Sequence, residues 1–316
     1  MNTPSRRQFV TTLFPVAAGL SLCGSKSSLL AVEAFQRPAP PRLQLSLAAY
    51  SFRDFFKDAS HPRSVSAQPN RQMDMFQFID YCATHGCAGA ELTSYYFPAE
   101  ISSDYLLRVR RHAFLRGVAV SGTAVGNDFT IRKGSKRDAE IASVKTWIDR
   151  AVVLGAPHIR VFAGAGKGLE PSEARSLCIA GLEECCDYAG RKGIFLGIEN
   201  HGGIVAEPEG LLGIVRAVKS PWLGINLDTG NFHTSPYEDL VRCAPFAINV
   251  QYKTEVKFKD RKENEPADLK RVVRILRDVN YQGYVALEYE AAEDPWSSVP
   301  RHLEELKRAL ASESRL

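Results

Sequence analysis

Four segments in the second half of the chain carry residues that could do chemistry, each at the same point of its segment. Leu196-Gly197-Ile198-Glu199-Asn200-His201, Ile225-Asn226-Leu227-Asp228-Thr229-Gly230-Asn231, Asn249-Val250-Gln251-Tyr252-Lys253 and Ala286-Leu287-Glu288-Tyr289-Glu290 all run from apolar residues into an acid or an amide. Side chains alternate along a strand. With Leu196 and Ile198 turned outward, Glu199 faces the other way, and the same alternation turns Asp228, Gln251 and Glu288 to one shared side. Three carboxylates facing a closed space repel each other and lose hydration, unless something positive sits between them. One divalent cation held by Glu199, Asp228, Gln251 and Glu288 is the economical expectation. Lys253 shares the face of Gln251, so it can contact a substrate or simply balance the acids. His201 can contact a substrate hydroxyl or hold its loop. Glu91 can reach the same space or make a structural ion pair, and Glu290 alternates inward above Glu288.

These residues need strands that end together. β-rich runs occur at Leu43–Ser51, Gly89–Thr93, Val118–Val125, His158–Ala163, Ile194–Asn200, Leu223–Asp228, Ala247–Lys253 and Tyr284–Glu290. Between them lie helical stripes, with apolar residues at i, i+3, i+4 and i+7: Met75, Phe78, Ile79 and Cys82, and again Leu269, Val272, Val273 and Leu276. Ile141, Val144, Ile148, Ala151 and Val152 form another. Pro171 and Pro208 suit a first helical turn, while Gly117, Gly155 and Gly193 suit helix ends. Eight strands, each followed by a helix, predict an α/β fold: a single (β/α)8 TIM barrel over residues 43–316, with its active site at the C-terminal strand ends. An open doubly wound sheet would carry a Gly-rich phosphate loop after its first strand. Here that strand leads into Ala48-Ala49-Tyr50-Ser51-Phe52-Arg53. The polar segments Lys57–Gln72 and Thr254–Glu265 emerge at the same rim, as loops that could cover a ligand.

Residues 1–34 read as a twin-arginine export signal: Ser5-Arg6-Arg7-Gln8-Phe9-Val10, then a largely apolar stretch to about Cys23, with small residues at Val32-Glu33-Ala34. The stretch is too short and interrupted for a membrane span. Export predicts a periplasmic protein with no stable membrane span after processing. Residues 35–42 read as a Pro-rich linker. The formal charge of +4 falls by two on removal of the leader, and no basic run suggests a nucleic-acid partner. Of seven cysteines, none forms a C-x-x-C pair, and most read as buried small hydrophobes.

Glu199-Asn200-His201-Gly202-Gly203, Asn226-Leu227-Asp228-Thr229-Gly230-Asn231-Phe232, Leu287-Glu288 and the opening Ala49-Tyr50-Ser51-Phe52 resemble the sugar phosphate isomerase/epimerase superfamily, the xylose isomerase-like barrels. The resemblance spans essentially the whole region after the leader, in order and spacing. It implies a metal site of Glu199, Asp228, Gln251 and Glu288, and a proton-transfer pair, Glu199 and Glu288. Two positions depart from the family pattern. Gln251 stands where the family has a histidine ligand, and Asn231 where many members place a second one. Fewer imidazoles make the set harder, favouring Mn or Mg over Co or Zn.

The implied chemistry is polarisation of a carbonyl, loss of the adjacent C–H proton to one glutamate, and return of a proton to the enediolate. His201, Lys253, Asn231 and Glu91 are then candidates for substrate contacts. Export favours a free sugar or glycoside over a phosphorylated one. The same enolisation could instead expel a leaving group, as a 3-keto-glycoside lyase would. A non-catalytic sugar-binding barrel is the reading from another class, supported by the missing histidines. An endonuclease is disfavoured, because its multi-zinc site needs more histidine than this chain supplies.

Overall fold

The computed structural model describes residues 32–58 and 71–312. Eight parallel strands close into a barrel: β1 (Arg42–Ala48), β2 (Gly89–Thr93), β3 (Ala119–Ala124), β4 (His158–Val161), β5 (Phe195–Glu199), β6 (Leu223–Asp228), β7 (Ala247–Tyr252) and β8 (Gln282–Leu287). Each pairs with its sequence neighbours, and β1 closes onto β8. Among the described residues eight α-helices pack around them: α1 (Met75–Thr84), α2 (Ser103–Leu115), α3 (Ser135–Leu154), α4 (Pro171–Gly190), α5 (Pro208–Ala217), α6 (Pro236–Cys243), α7 (Leu269–Asp278) and α8 (Pro295–Ala311). The (β/α)8 barrel read from the sequence is the fold observed.

Local chemistry sets the helix ends. Asp74 and Gln77 form a reciprocal capping box at α1, each side chain accepting from the other's backbone N–H. Pro171 and Pro208 begin α4 and α5, and Gly155 ends α3 with φ +77°. The stripe Met75, Phe78, Ile79 and Cys82 is wholly buried. In α3 the buried stripe takes in Trp147, while Val152, expected in it, is 40% exposed, because α3 turns that face to solvent.

β1 and β8 each stop three residues earlier than their predicted runs, and β3, β4, β5 and β7 one or two residues earlier. β1 ends at Ala48, where the chain enters a 3-10 turn over Ala49–Phe52. Ser51 Oγ then donates to Leu287 O (3.1 Å) and accepts from Tyr289 N (2.9 Å). That hydroxyl takes backbone groups that a longer β8 would give to its ladder, so Glu288 and Glu290 sit just beyond the strand. β7 carries a further irregularity. Ile225 pairs with Ala247, but Asn226 pairs with Asn249, so Ile248 is bulged. Ile248 packs where a Cβ on Gly197 or Gly224 would stand, and Asn249, Gln251 and Lys253 follow on the inner face.

Residues 32–41 lie against the N-terminal end of the barrel rather than free of it. Phe35 N donates to Pro245 O, the Arg37 guanidinium donates to Ala247 O, and Gln282 Nε2 donates to Ala39 O. Arg37 also stacks over Phe35 and Tyr281. At the rim, Glu255–Val256 and Glu265–Pro266 make a small antiparallel ribbon. Residues 59–70 of the other rim segment, Lys57–Gln72, and residues 1–31 of the export signal expected over 1–34 lie outside the described residues. The six described cysteines are free thiols and buried. Among the described residues no helix is long and apolar enough to cross a membrane.

Gly122 and His158 interlock: a Cβ at 122 would stand 2.2 Å from His158 Cε1 and 2.3 Å from Nε2. Gly122→Ala should therefore cost about 1–3 kcal/mol of stability, read as a lowered denaturant midpoint at constant slope. Burial also holds His158 at about 4, below its ordinary 6.5. The unfolded chain takes the proton first, so this stabilisation is complete above pH 6.5 and is lost as pH falls from 6.5 to 4. The loss should reach about 3 kcal/mol. His158→Gln should flatten that part of the stability–pH curve; curves that fall in parallel would refute the assignment.

Candidate active site

At the C-terminal end of the barrel a cavity of about 430 Å³ opens between the strand ends. Its walls are aromatic: Tyr50, Tyr95, Tyr96 and Phe162. Its polar lining is Arg53, Arg160, Glu199, His201, Asn231, Lys253, Glu288 and Glu290. Glu199 and Glu288 are buried, on strand ends three positions apart around the barrel.

Each glutamate has a cation beside it. Arg160 Nε lies 2.9 Å from Glu199 Oε2, an ion pair that lacks hydrogen-bond alignment. Arg160 is itself buried, and its Nη1 donates to Val125 O at 3.0 Å, which anchors the guanidinium. It also stacks over Phe162, 4.0 Å from the ring centroid. Lys253 Nζ lies 2.7 Å from Glu288 Oε2, 2.7 Å from Glu290 Oε2 and 3.4 Å from Asp228 Oδ2.

Below these charges, side-chain amides form a relay through the barrel. Asn249 Nδ2 donates to Glu91 Oε2 (2.6 Å) and to Asn226 Oδ1 (2.8 Å). Asn226 Nδ2 donates to Gln251 Oε1 at 2.5 Å, and Gln251 Nε2 donates to Glu91 Oε1 (2.6 Å) and Glu288 Oε1 (3.3 Å). Asn200 clamps the backbone of residue 228, donating to Asp228 O and accepting from Asp228 N, each at 2.9 Å. Asn231 Nδ2 donates to Glu199 Oε1 at 3.1 Å.

Burial dominates the titration of Glu91, Glu199 and Asp228. It pushes Glu91 up to about 7, helped by Glu288 and opposed by the amide donors of Gln251 and Asn249. It raises Glu199 against the pull of Arg160, and Asp228 against that of Lys253. Lys253 moves the other way: burial disfavours its charge, but Asp228, Glu288 and Glu290 outweigh burial and hold it well above the ordinary lysine value.

The expected metal ligands Glu199, Asp228, Gln251 and Glu288 thus converge, but as an ion-paired cluster and not as a coordination shell. Gln251 turns its amide oxygen to Asn226 and its NH2 to the carboxylates. Glu199 is taken up by Arg160. The orphaned Asp228 Oδ2 faces an ammonium. Among the described residues no group of three or more His, Cys, Asp or Glu is disposed to hold a metal ion, and this donor set does not fit one.

Of the expected substrate contacts, His201 is exposed at the rim, its ring 4.7 Å from Phe162. Lys253 and Asn231 line the cavity, while Glu91 lies beneath it, wholly buried and bonded to amides. Sequence reasoning passed over Arg160, whose signal was an arginine inside the apolar run His158-Ile159-Arg160-Val161. Asn226 and Asn249 carried the same inward phase as Asp228 and Gln251.

The sequence profile of the xylose isomerase-like TIM barrel family matches residues 79–307. No curated protein matches the chain. Among solved structures it is similar to D-psicose 3-epimerase in the presence of D-fructose, with TM-score 0.65 and 14% identity over 85% of this chain and 97% of that one. It is similar to D-psicose 3-epimerase with D-tagatose from Clostridium cellulolyticum H10, with TM-score 0.65 and 12% identity over 84% and 96%. It is also similar to the apo form of 3-keto-D-glucoside 4-epimerase from E. coli, with TM-score 0.60 and 15% identity over 85% and 99%. At such identities the likeness is one of fold, and the profile match carries the assignment: this chain belongs to the xylose isomerase-like TIM barrel family.

Proposed function

We propose that the protein is a sugar isomerase or epimerase that moves a proton next to a carbonyl, with Glu199 and Glu288 as the acid–base pair. One observation carries the reading: two buried glutamates border one aromatic-walled cavity, each beside an anchored cation. Aromatic walls suit the C–H faces of a sugar ring, and Asn231, His201 and Arg53 offer polar contacts for its hydroxyls.

In the proposed step, one glutamate carboxylate removes the C–H proton. The C–H electron pair forms the new C=C bond, and the carbonyl pair moves onto oxygen. Lys253 and Arg160 stabilise that oxyanion as cations already in place. The other glutamate, protonated, returns a proton to the opposite face, which inverts the carbon. The two carboxyls then exchange their proton with solvent. The names of the similar structures, D-psicose 3-epimerase and 3-keto-D-glucoside 4-epimerase, support the substrate class.

We extend the proposal to export by the Ser5–Val10 segment, which favours a free sugar or a glycoside. Arg6→Lys with Arg7→Lys should retain the protein in the cytoplasmic fraction; unchanged fractionation would remove this part of the reading.

The chemical test is a panel of ketoses and keto-glycosides incubated with the protein in D2O and followed by NMR. Deuterium should enter at one carbon beside the carbonyl. Glu288→Gln and Glu199→Gln should each slow exchange by about 10²–10⁴-fold while keeping the native circular dichroism spectrum. Release of an aglycone in place of a changed stereocentre would make the protein a keto-glycoside lyase. Ligand binding by calorimetry, with no exchange in any form, would make it a sugar-binding barrel.

A further inference from the structure

We infer that Lys253 is the resident cation of this barrel: with Arg160, its ammonium takes the position and charge of a divalent metal, so the site binds none. The inference concerns the cluster itself and does not depend on turnover.

Position comes first. The ammonium contacts Glu288 and Glu290 at 2.7 Å and stands 3.4 Å from Asp228 Oδ2. Two of those carboxylates belong to the set that family resemblance assigns to a metal. A third, Glu199, is paired with Arg160. Two monovalent cations thus supply the same total charge as one divalent ion, divided between opposite sides of the cluster.

The lysine is also built in. A Cβ at Gly230 would stand 2.7 Å from Lys253 Cγ and 2.8 Å from its Cβ, so only glycine leaves room for the aliphatic stem. Lys253 N donates to Thr229 Oγ1 at 2.9 Å, and the side chain is 10% exposed. The bulge at Ile248 re-phases the strand beyond it, and alternation then places Lys253 on the face of Asn249 and Gln251.

Gln251 cannot serve as the fourth ligand as it stands. Its oxygen accepts from Asn226, and its NH2 donates to Glu91 and Glu288. Reversing the amide would set oxygen against two carboxyl groups and NH2 against the NH2 of Asn226. Glu91 accepts from both Asn249 and Gln251, which holds the relay in one sense.

The test needs no substrate. The full-length wild type is titrated with MnCl2, MgCl2, CoCl2 and ZnCl2 by calorimetry, and retained metal is counted by mass spectrometry after desalting. Asp228→Asn serves as the site control. The wild type should take up no metal that Asp228→Asn abolishes, and EDTA should leave its melting temperature unchanged. Gln251→His with Lys253→Met should bind about one Mn or Co per chain, roughly tenfold or more tighter than the wild type. Stoichiometric metal on the wild type, lost in Asp228→Asn, would overturn the inference. So would a double variant that is folded by circular dichroism yet takes up no metal. If the double variant does not fold, the wild-type titration decides. Loss of sugar turnover elsewhere would leave these readings unaltered, so the two proposals fail separately.

Discussion

The constraint on which the rest of the molecule depends is charge neutrality in a closed space. Glu91, Glu199, Asp228 and Glu288 are buried at the C-terminal end of the barrel, with Glu290 at its edge. An uncompensated carboxylate there would cost several kcal/mol. Lys253 and Arg160 offset two of the upper charges, and burial raises the proton affinity of Glu199 and Asp228 against the remainder. Glu91, deeper and without a direct cation, is held by amide N–H groups and has its affinity for a proton raised. Burying these cations is itself costly, so the arrangement stands only as a whole. Removing either cation would leave a carboxylate unpaired, and removing the acids would leave the cation unpaired.

The barrel solves the positioning problem with small irregularities in a regular frame. Parallel strands bring their C-terminal ends to one rim, which is why acids from distant parts of the chain meet there. The frame alone would not seat the lysine. The one-residue slip at Ile248 re-phases β7, and Gly230 clears a path for the stem of Lys253. Ser51, by bonding Leu287 O and Tyr289 N, ends β8 before Glu288. Each device sits within a few residues of the cavity. The far side of the barrel, where His158 fills the space left by Gly122, is ordinary tight packing.

The strand and helix order was legible because alternation, stripes, N1 prolines and terminal glycines are local signals. So was the convergence of Glu199, Asp228, Gln251 and Glu288, which needs only the period of two and the C-terminal-end rule. What those residues do to one another was not legible. Whether Gln251 offers oxygen or NH2 depends on Asn226 and Asn249, and their relevance appears only when β6 and β7 lie side by side. The bulge is a property of a strand pair, and no single strand announces it. Arg160 comes from β4, outside the four strands whose pattern drew the eye. The Pro-rich stretch after the leader reads as a linker by composition, yet Phe35 and Arg37 dock on the barrel, because their partners Pro245 and Ala247 lie over 200 residues away.

An ammonium and a divalent ion are not equivalent in one respect that shapes the rest of the pocket. A metal can grip two neighbouring oxygens of a sugar at once and so orient it. An ammonium engaged by Glu288, Glu290 and Asp228 has little donor capacity left, because it carries only three N–H groups. It can stabilise a developing negative charge, but it cannot also fix the ring. Orientation must then come from the walls. For the sugar substrate proposed above, Tyr50, Tyr95 and Phe162 would supply the faces, and Arg53, Asn231 and His201 the hydroxyl contacts. In a barrel arranged this way, the acids with Lys253 and Arg160 set the electrostatics, and orienting a ligand falls to the βα loops.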